Sequence, residues 1–137
     1  MVEVYDSLIR VLVVDDHDMM RHLIGKVLAL DNTIRVSGMA ADAHEAMNLI
    51  RMHLPDLIIL DYALPGANGI KLIEQMQAEK VETPVVFLSV HRHTQLVERA
   101  KEAGAKGYLL KEAMTSQLIP AVHSVVEGKT FFGSMER

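Results

Sequence analysis

The chain has 137 residues, of which 50% are hydrophobic and 23% charged, with no cysteine, no tryptophan and a formal net charge of −4. This length suits one domain, and the apolar content excludes a disordered chain. The lack of cysteine excludes a disulfide-stapled secreted fold, and no apolar run approaches the roughly 18 residues that a membrane span needs. The acidic balance argues against direct binding of nucleic acid. We expect a soluble, single-domain, cytoplasmic protein that does not contact membranes.

Two apolar periodicities alternate along the chain five times. Short, nearly continuous aliphatic runs predict buried strands, and the second run lies nearer an edge because Arg35 and Ser37 interrupt it. The predicted strands are Leu8–Val14, Ile34–Gly38, Asp56–Leu60, Val85–Ser89 and Gly107–Leu110. Apolar residues between and after these runs recur every third or fourth position, which predicts five amphipathic helices. Their apolar stripes span Met20–Val27, Ala43–Ile50, Ile70–Met76, Val97–Ala103 and Leu118–Val126.

Proline and glycine mark the predicted ends of these helices. Helix-ending residues are Pro55, Gly104 and Gly128, and the pairs Pro65-Gly66 and Asn68-Gly69 fill the loop before the third helix. Pro120 conflicts with the last helical pattern, because a proline inside a helix removes a hydrogen bond. We therefore predict that this helix begins near Thr115 or Ser116, which would place Pro120 in its first turn.

Five strand–helix repeats predict a parallel sheet with helices on both faces. With right-handed crossovers and about 120 residues, the leading architecture is a doubly wound, flavodoxin-like α/β fold. Its five strands are expected in the order 2-1-3-4-5. Ligands of such sheets bind beyond the carboxyl ends of the strands, where the strand order reverses.

Charged and hydroxyl side chains follow four of the predicted strands. Asp15 and Asp16 follow the first strand, Asp61 the third, Ser89 ends the fourth, and Lys111 follows the fifth. Three neighbouring carboxylates repel one another, whereas a divalent cation and the lysine would bring the total charge to zero. Hard oxygen ligands suit Mg²⁺, which favours partnership with phosphate. The sequence therefore predicts a site for phosphoryl transfer.

Four segments, VLVVDDHDMMR, PDLIILDYALPGANG, VVFLSVH and GAKGYLLKEA, carry a family resemblance. Over about residues 8–128 the chain resembles the CheY-like receiver domain of two-component response regulators. The histidine after the acidic pair and the acid after GYLLK resemble the NarL/FixJ-like subgroup, which usually precedes a LuxR-like helix-turn-helix domain.

The resemblance implies a phosphoacceptor and a metal site. Asp61 would accept a phosphoryl group from a sensor histidine kinase or a small phosphodonor. Asp15, Asp16, Asp61 and the backbone carbonyl of Ala63 would hold Mg²⁺, with Mn²⁺ as a substitute.

The resemblance also implies a switch. Ser89 and Lys111 would bind the phosphoryl oxygens, and Tyr108 would be the rotating aromatic that changes the face formed by the fourth helix, fifth strand and fifth helix. Such a domain is not an enzyme in the ordinary sense, although it promotes its own phosphorylation and dephosphorylation.

Simpler interpretations exist for single residues. Asp15 and Asp16 could cap the first helix, and Asp18 at its first position suits the helix dipole. His91 is either a solvated loop residue or, together with small Ala63, a group that governs the access of water to a phosphoaspartate. The remaining histidines show no metal-ligand pattern.

The family also sets expectations for the domain limits and partners. Residues 1–128 would form the receiver, and 129–137 a tail or the start of a linker to an output domain that the sequence does not include. DNA would be contacted only through that domain, and phosphorylation could drive homodimerisation. Alternatives are a stand-alone receiver and a receiver-like interaction module that is never phosphorylated. A haloacid-dehalogenase-like hydrolase is disfavoured, since it wants a second acid where Ala63 stands.

Overall fold

A computed structural model describes residues 8–64 and 69–132. In these residues five strands alternate with five helices. The strands are β1 (Ile9–Val14), β2 (Ile34–Ala40), β3 (Leu57–Asp61), β4 (Val85–Ser89) and β5 (Gly107–Leu110). The helices are α1 (Asp18–Leu28), α2 (Ala43–His53), α3 (Gly69–Ala78), α4 (Thr94–Ala103) and α5 (Met114–Val126), the last preceded by a 3-10 turn at Lys111–Ala113. The predicted turn residues 65–68 and the tail residues 133–137 lie outside the described residues.

All strand pairs are parallel, and the sheet order is β2-β1-β3-β4-β5. The predicted fold class and strand order are confirmed. The order reverses between β1 and β3, so the carboxyl ends of these two strands flank the crevice where such sheets bind ligands. Every described helix is too short or too polar to cross a bilayer.

Alternate residues of each strand point to opposite faces, and each face carries its own aliphatic core. Leu12 and Val14 of β1 pack under α2, α3 and α4, whereas Val11 and Val13 pack under α1 and α5. The central strands are buried along their whole length, which explains why their sequences are continuous aliphatic runs.

Strand β2 is longer than predicted and contains an irregularity. Val11 pairs with Val36, but the next residue of β1, Leu12, pairs with Gly38, so Ser37 is an extra residue in β2. A bulge of this kind breaks the alternation of buried and exposed residues, so the alternating pattern did not predict the extension of β2 to Ala40.

The predicted start of the last helix, near Thr115 or Ser116, lies within one or two residues of the observed start, but the predicted placement of Pro120 in the first turn is wrong. Helix α5 begins at Met114, and Pro120 lies inside it, beyond the first turn. A proline at position 120 cannot donate to the carbonyl of Ser116. Both residues are exposed, so water can satisfy that carbonyl and the helix continues through the proline.

The segment after α5 packs on the edge strand β5. The backbone N–H of Phe131 donates to the carbonyl of Lys106 at 2.9 Å, and that of Tyr108 donates to the carbonyl of Phe131 at 3.1 Å. Gly107 permits this approach, because a Cβ there would lie 2.9 Å from the Phe131 carbonyl oxygen. Phe132 is buried in the same core as Tyr108. The beginning of the predicted tail therefore belongs to the packed domain.

A side-chain hydrogen bond joins the segment after α1 to α5. Asp31 Oδ2 lies 2.7 Å from His123 Nε2, and Asp31 Oδ1 accepts hydrogen bonds from the hydroxyl and the N–H of Thr33. The Thr33 hydroxyl, followed by His123, lowers the pKa of Asp31 to about 2. The ionised carboxylate of Asp31 therefore stabilises the junction between the two helices on this face.

Replacing Gly69 with Ala should destabilise the protein. A Cβ at Gly69 would lie 2.5 Å from Phe87 Cε1 and 3.1 Å from the carbonyl oxygen of Asp61, both held in the packed sheet. Overpacking of this kind costs about 1–3 kcal/mol, measurable by urea denaturation. The control is Gly25→Ala in α1, where the nearest atom is the flexible end of Met39 at 3.0 Å. Equal destabilisation by both substitutions would contradict this account.

Candidate functional site

Three buried polar residues meet at the carboxyl edge of the sheet. Among the described residues, Asp15, Asp61 and Ser89 are the buried polar or charged ones. Asp15 follows β1, Asp61 ends β3 and Ser89 ends β4, so the parallel pairing of these strands brings them to one edge. A chain buries such groups only when they pair with one another or with a ligand.

Lys111 supplies the positive charge of this site. It follows β5, and its Nζ lies 3.1 Å from Asp15 Oδ2 and 3.4 Å from Asp61 Oδ1. Only 12% of the Lys111 side chain is exposed, so its ammonium group interacts with both carboxylates under weak solvent screening. One lysine still leaves the three acidic side chains with excess negative charge.

The pKa of Asp61 is raised by burial and, in second place, by the neighbouring charge of Asp15. Lys111 and the backbone N–H of Ala63, which donates to Asp61 Oδ1 at 3.2 Å, oppose this shift. The carboxylate of Asp61 therefore lies in an environment that a further positive charge would stabilise.

The second acid of the pair, Asp16, has an oxygen that lacks a hydrogen bond. Its Oδ1 is shielded from solvent and accepts none. Asp15, Asp16 and Asp61 offer carboxylate oxygens that lie within 4.8 Å of one another. This donor set fits a hard divalent cation such as Mg²⁺.

Neither acid of the pair caps the first helix. His17 is the N-cap residue of α1, and its own N–H donates to Asp15 Oδ1 at 2.8 Å. Asp18 is the first helical residue and forms an ion pair with Arg21, as suits the positive end of the helix dipole. Arg21 also donates to the carbonyl of Asp15 at 2.6 Å, a contact that holds the loop after β1 and that sequence analysis missed.

His17 was also missed. Its Nδ1 lies 3.2 Å from Asp15 Oδ1 and 3.2 Å from Asp16 Oδ1, within the same cluster of potential metal ligands. No role was predicted for the histidines other than His91, because they do not share a metal-ligand spacing. The available signal was the position of His17 directly after two acids.

Ser89 and Tyr108 are linked through the loop after β4. The hydroxyl of Ser89 accepts from the N–H of His91 at 3.0 Å, and the hydroxyl of Tyr108 donates to the carbonyl of His91 at 2.9 Å. The ring of Tyr108 is fully buried against Tyr62 and Phe87. Burial raises the pKa of Tyr108, which keeps its hydroxyl protonated as a donor.

The mouth of the site is open. Ala63 and His91 are both exposed, and the ring of His91 stacks on that of His93 with centroids 5.9 Å apart. The side chain of His91 therefore lies at the solvent boundary, while its backbone connects Ser89 to Tyr108.

Fold and site together define a doubly wound α/β protein with a cluster of carboxylates at its topological switch point. Residues 11–123 match the family model of the response regulator receiver domain, and the chain belongs to that family. The chain is 34% identical over 121 residues to "Probable transcriptional regulatory protein NarL" of Mycobacterium tuberculosis. It is 32% identical over 119 residues to the nitrate/nitrite response regulator protein NarL of Escherichia coli K12. The predicted resemblance to NarL-like receivers is confirmed.

Solved structures agree with this assignment. The signal receiver domain of NarL from M. tuberculosis superposes with a TM-score of 0.84 at 33% identity, covering 90% of this chain and 99% of that one. A LuxR-family response regulator from Aurantimonas gives a TM-score of 0.89 at 28% identity, covering 93% and 91%. The alignments to the two curated NarL proteins cover 88% and 87% of this chain but only 56% and 55% of theirs.

Replacing Asp61 with Asn should increase the free energy of unfolding at neutral pH. Because the folded-state pKa of Asp61 lies above the ordinary value of 3.8, its ionisation disfavours folding as the pH rises through the folded pKa. We expect a gain of about 0.5–2 kcal/mol near pH 7, the usual range for a stabilising substitution. Urea denaturation between about pH 4 and pH 7 measures the gain, which should shrink toward the acid end.

The matched control is Asp31→Asn, which should act in the opposite direction. The pKa of Asp31 is lowered to about 2, so its carboxylate stabilises the fold above 3.8 and loses that effect as the pH falls toward 2. We expect a loss of about 1 kcal/mol near pH 7, after allowing for solvent screening. The same sign of effect in both variants would refute the electrostatic argument.

Proposed function

We propose that this chain is a phosphorylation-controlled switch in which Asp61 accepts a phosphoryl group from a sensor histidine kinase. The observation that carries the proposal is the position of the Asp61 carboxylate, buried at the reversal of the sheet with the Lys111 ammonium 3.4 Å away. Membership of the receiver family agrees with this assignment.

The proposed transfer uses Asp61 as a carboxylate nucleophile. An oxygen of Asp61 bonds to the phosphorus of a phosphohistidine, and the P–N bond breaks with its electron pair left on the imidazole, which takes up a proton. Lys111 favours the ionised form of Asp61 and would pair with a phosphoryl oxygen, and the Ser89 hydroxyl would donate to another. Catalysis of this kind depends on positioning and charge rather than on proton transfer.

The acidic cluster is proposed to hold Mg²⁺, with Mn²⁺ as a substitute. Asp15, Asp16, Asp61 and the backbone carbonyl of Ala63 would be the protein ligands. Two observations support this ligand set: the clustering of the carboxylate oxygens, and the oxygen of Asp16 that accepts no hydrogen bond. When bound, the cation supplies positive charge to the phosphoryl oxygens.

The proposed switch runs from Ser89 to Tyr108. Phosphorylation replaces one negative charge on Asp61 by about two, which draws Lys111 and the Ser89 hydroxyl toward the new oxygens. Because Ser89 accepts from the N–H of His91 and Tyr108 donates to the carbonyl of that same residue, movement of Ser89 disturbs both bonds. Tyr108 would then follow the loop and alter the face formed by α4, β5 and α5.

The output of the switch is proposed from the relatives. Both NarL proteins are longer than the matched region, and one is named a transcriptional regulatory protein. The boundary expected at residue 128 moves to residue 132, because Phe131 and Phe132 pack on the domain. The residues that follow would lead toward an output domain that contacts DNA, and phosphorylation would promote a homodimer. The domain would also promote hydrolysis of its own phosphoaspartate, with Ala63 and His91 controlling how water enters.

Acetyl phosphate with Mg²⁺ should add one phosphoryl mass to the wild-type protein and none to Asp61→Asn. The control is Asp42→Asn, which changes an exposed acid that caps α2 and leaves a residue able to cap a helix. Mass spectrometry reads the modification, and size-exclusion chromatography reads the proposed dimer. A wild type that gains no phosphoryl mass would favour the alternative of an interaction module that is never phosphorylated. A wild type that is phosphorylated but stays monomeric would refute only the proposed dimer.

Replacing His91 with Ala should shorten the half-life of the phosphoaspartate several-fold, because it removes a side chain from the solvent boundary of the site. The decay of the phosphorylated mass after removal of the phosphodonor measures the rate. His44→Ala, which removes an exposed histidine of α2, is the control and should leave the half-life unchanged. An unaltered half-life in His91→Ala would show that the side chain of His91 is a solvated loop residue with no effect on dephosphorylation.

A further inference from the structure

We propose that His17 is an additional metal ligand, and that it gives the acidic site a preference for an imidazole-binding transition-metal ion over Mg²⁺. The class includes Fe²⁺, Ni²⁺ and Zn²⁺. The inference depends on the proposed function only in that the carboxylates bind a divalent cation.

The distances around His17 are those of neighbouring ligands on one ion. Its Nδ1 forms a hydrogen bond with Asp15 Oδ1 at 3.2 Å and lies 3.2 Å from Asp16 Oδ1, so an ion bound here would take the place of the Nδ1 proton. Adjacent ligands of an octahedral ion with bonds of about 2.1 Å are separated by about 3.0 Å, and opposite ligands by about 4.2 Å. The ligand atoms of Asp15, Asp16, His17 and Asp61 all lie within 4.8 Å of one another.

The backbone fixes His17 at this position. It is the extended residue that precedes α1, and its N–H donates to Asp15 Oδ1 at 2.8 Å. Packing does not account for the orientation of the ring, because 70% of the side chain is exposed. The ring therefore faces the carboxylates through polar contacts alone, beside the oxygen of Asp16 that accepts no hydrogen bond.

The chemistry of the donor set then determines which ions benefit. Mg²⁺ takes oxygen ligands and keeps several waters, so a nearby imidazole adds little to its binding. First-row transition metals bind imidazole well, and their affinity rises from Mn²⁺ through Fe²⁺ and Co²⁺ to Ni²⁺. One nitrogen among three carboxylates therefore shifts selectivity toward these ions while leaving a site that Mg²⁺ can still enter.

The test compares Co²⁺, as a probe of this class, with Mg²⁺. Isothermal titration calorimetry of the wild type, His17→Asn and His22→Asn gives the ratio of the two dissociation constants. His22 is the matched control, because it is an exposed histidine of the same helix outside the ligand cluster. We expect the preference for Co²⁺ to fall at least about tenfold in His17→Asn, the lower limit for losing a partner of a metal site. His22→Asn should keep the wild-type ratio.

A second measurement reports coordination directly. Proton NMR of the Co²⁺-loaded protein should show a paramagnetically shifted imidazole C–H signal that does not exchange with water, which is lost in His17→Asn and kept in His22→Asn. An unchanged ratio, or the absence of that signal from the wild type, overturns the inference. Equal weakening of both ions in His17→Asn also overturns it, because His17 would then only position the carboxylates.

The proposed function is tested by a separate experiment. Labelling of the wild type by acetyl phosphate with Mg²⁺ does not depend on the selectivity of the site. Failure of that labelling refutes the phosphoacceptor role of Asp61 while the ratio of dissociation constants still decides the role of His17. A wild type that binds neither ion refutes both the proposed metal site and the ligand role of His17.

Discussion

Asp61 and Asp15 are buried side by side at the carboxyl edge of the sheet, and their mutual repulsion constrains everything around them. Lys111 lies within 3.4 Å of both, yet one ammonium does not balance them and the orphan oxygen of Asp16. The arrangement costs stability in the folded protein, and it persists because five aliphatic strands hold the ends of the loops in place. A site of this kind lowers the free energy of unfolding, and it leaves carboxylates that a further positive charge would stabilise.

The fold supplies the rigidity that this arrangement needs. Each face of the sheet has a separate aliphatic core, so the strands bearing Asp61 and Ser89 are packed from above and below. The backbone of His91 joins Ser89 to Tyr108 in the loop after β4. In the proposed switch, a charge change at the edge would therefore act on this loop rather than on the packed core.

Continuous aliphatic runs and polar residues at the ends of strands are local patterns in the sequence. They therefore predicted the strands and the chain positions of Asp15, Asp61, Ser89 and Lys111. Features that depend on partners distant in sequence could not be predicted from such patterns. The extra residue in β2 follows from its pairing with β1, and α5 continues through Pro120 where Ser116, which loses its helical partner, is exposed. The docking of Phe131 on β5 is likewise a tertiary feature, whereas the contacts of His17 with Asp15 and Asp16 are local and were missed because no metal-ligand spacing marked them.

The docking of the segment after α5 bears on where this domain can be cut. A protein shortened at Gly128 would leave the amide of Tyr108 and the carbonyl of Lys106 without the partners that Phe131 provides. It would also lose the burial of Phe132, worth about 1.5–3 kcal/mol, and expose apolar surface around the ring of Tyr108. The smallest fragment that keeps the native environment of Tyr108 therefore ends no earlier than residue 132, beyond the boundary that the helical pattern alone suggests.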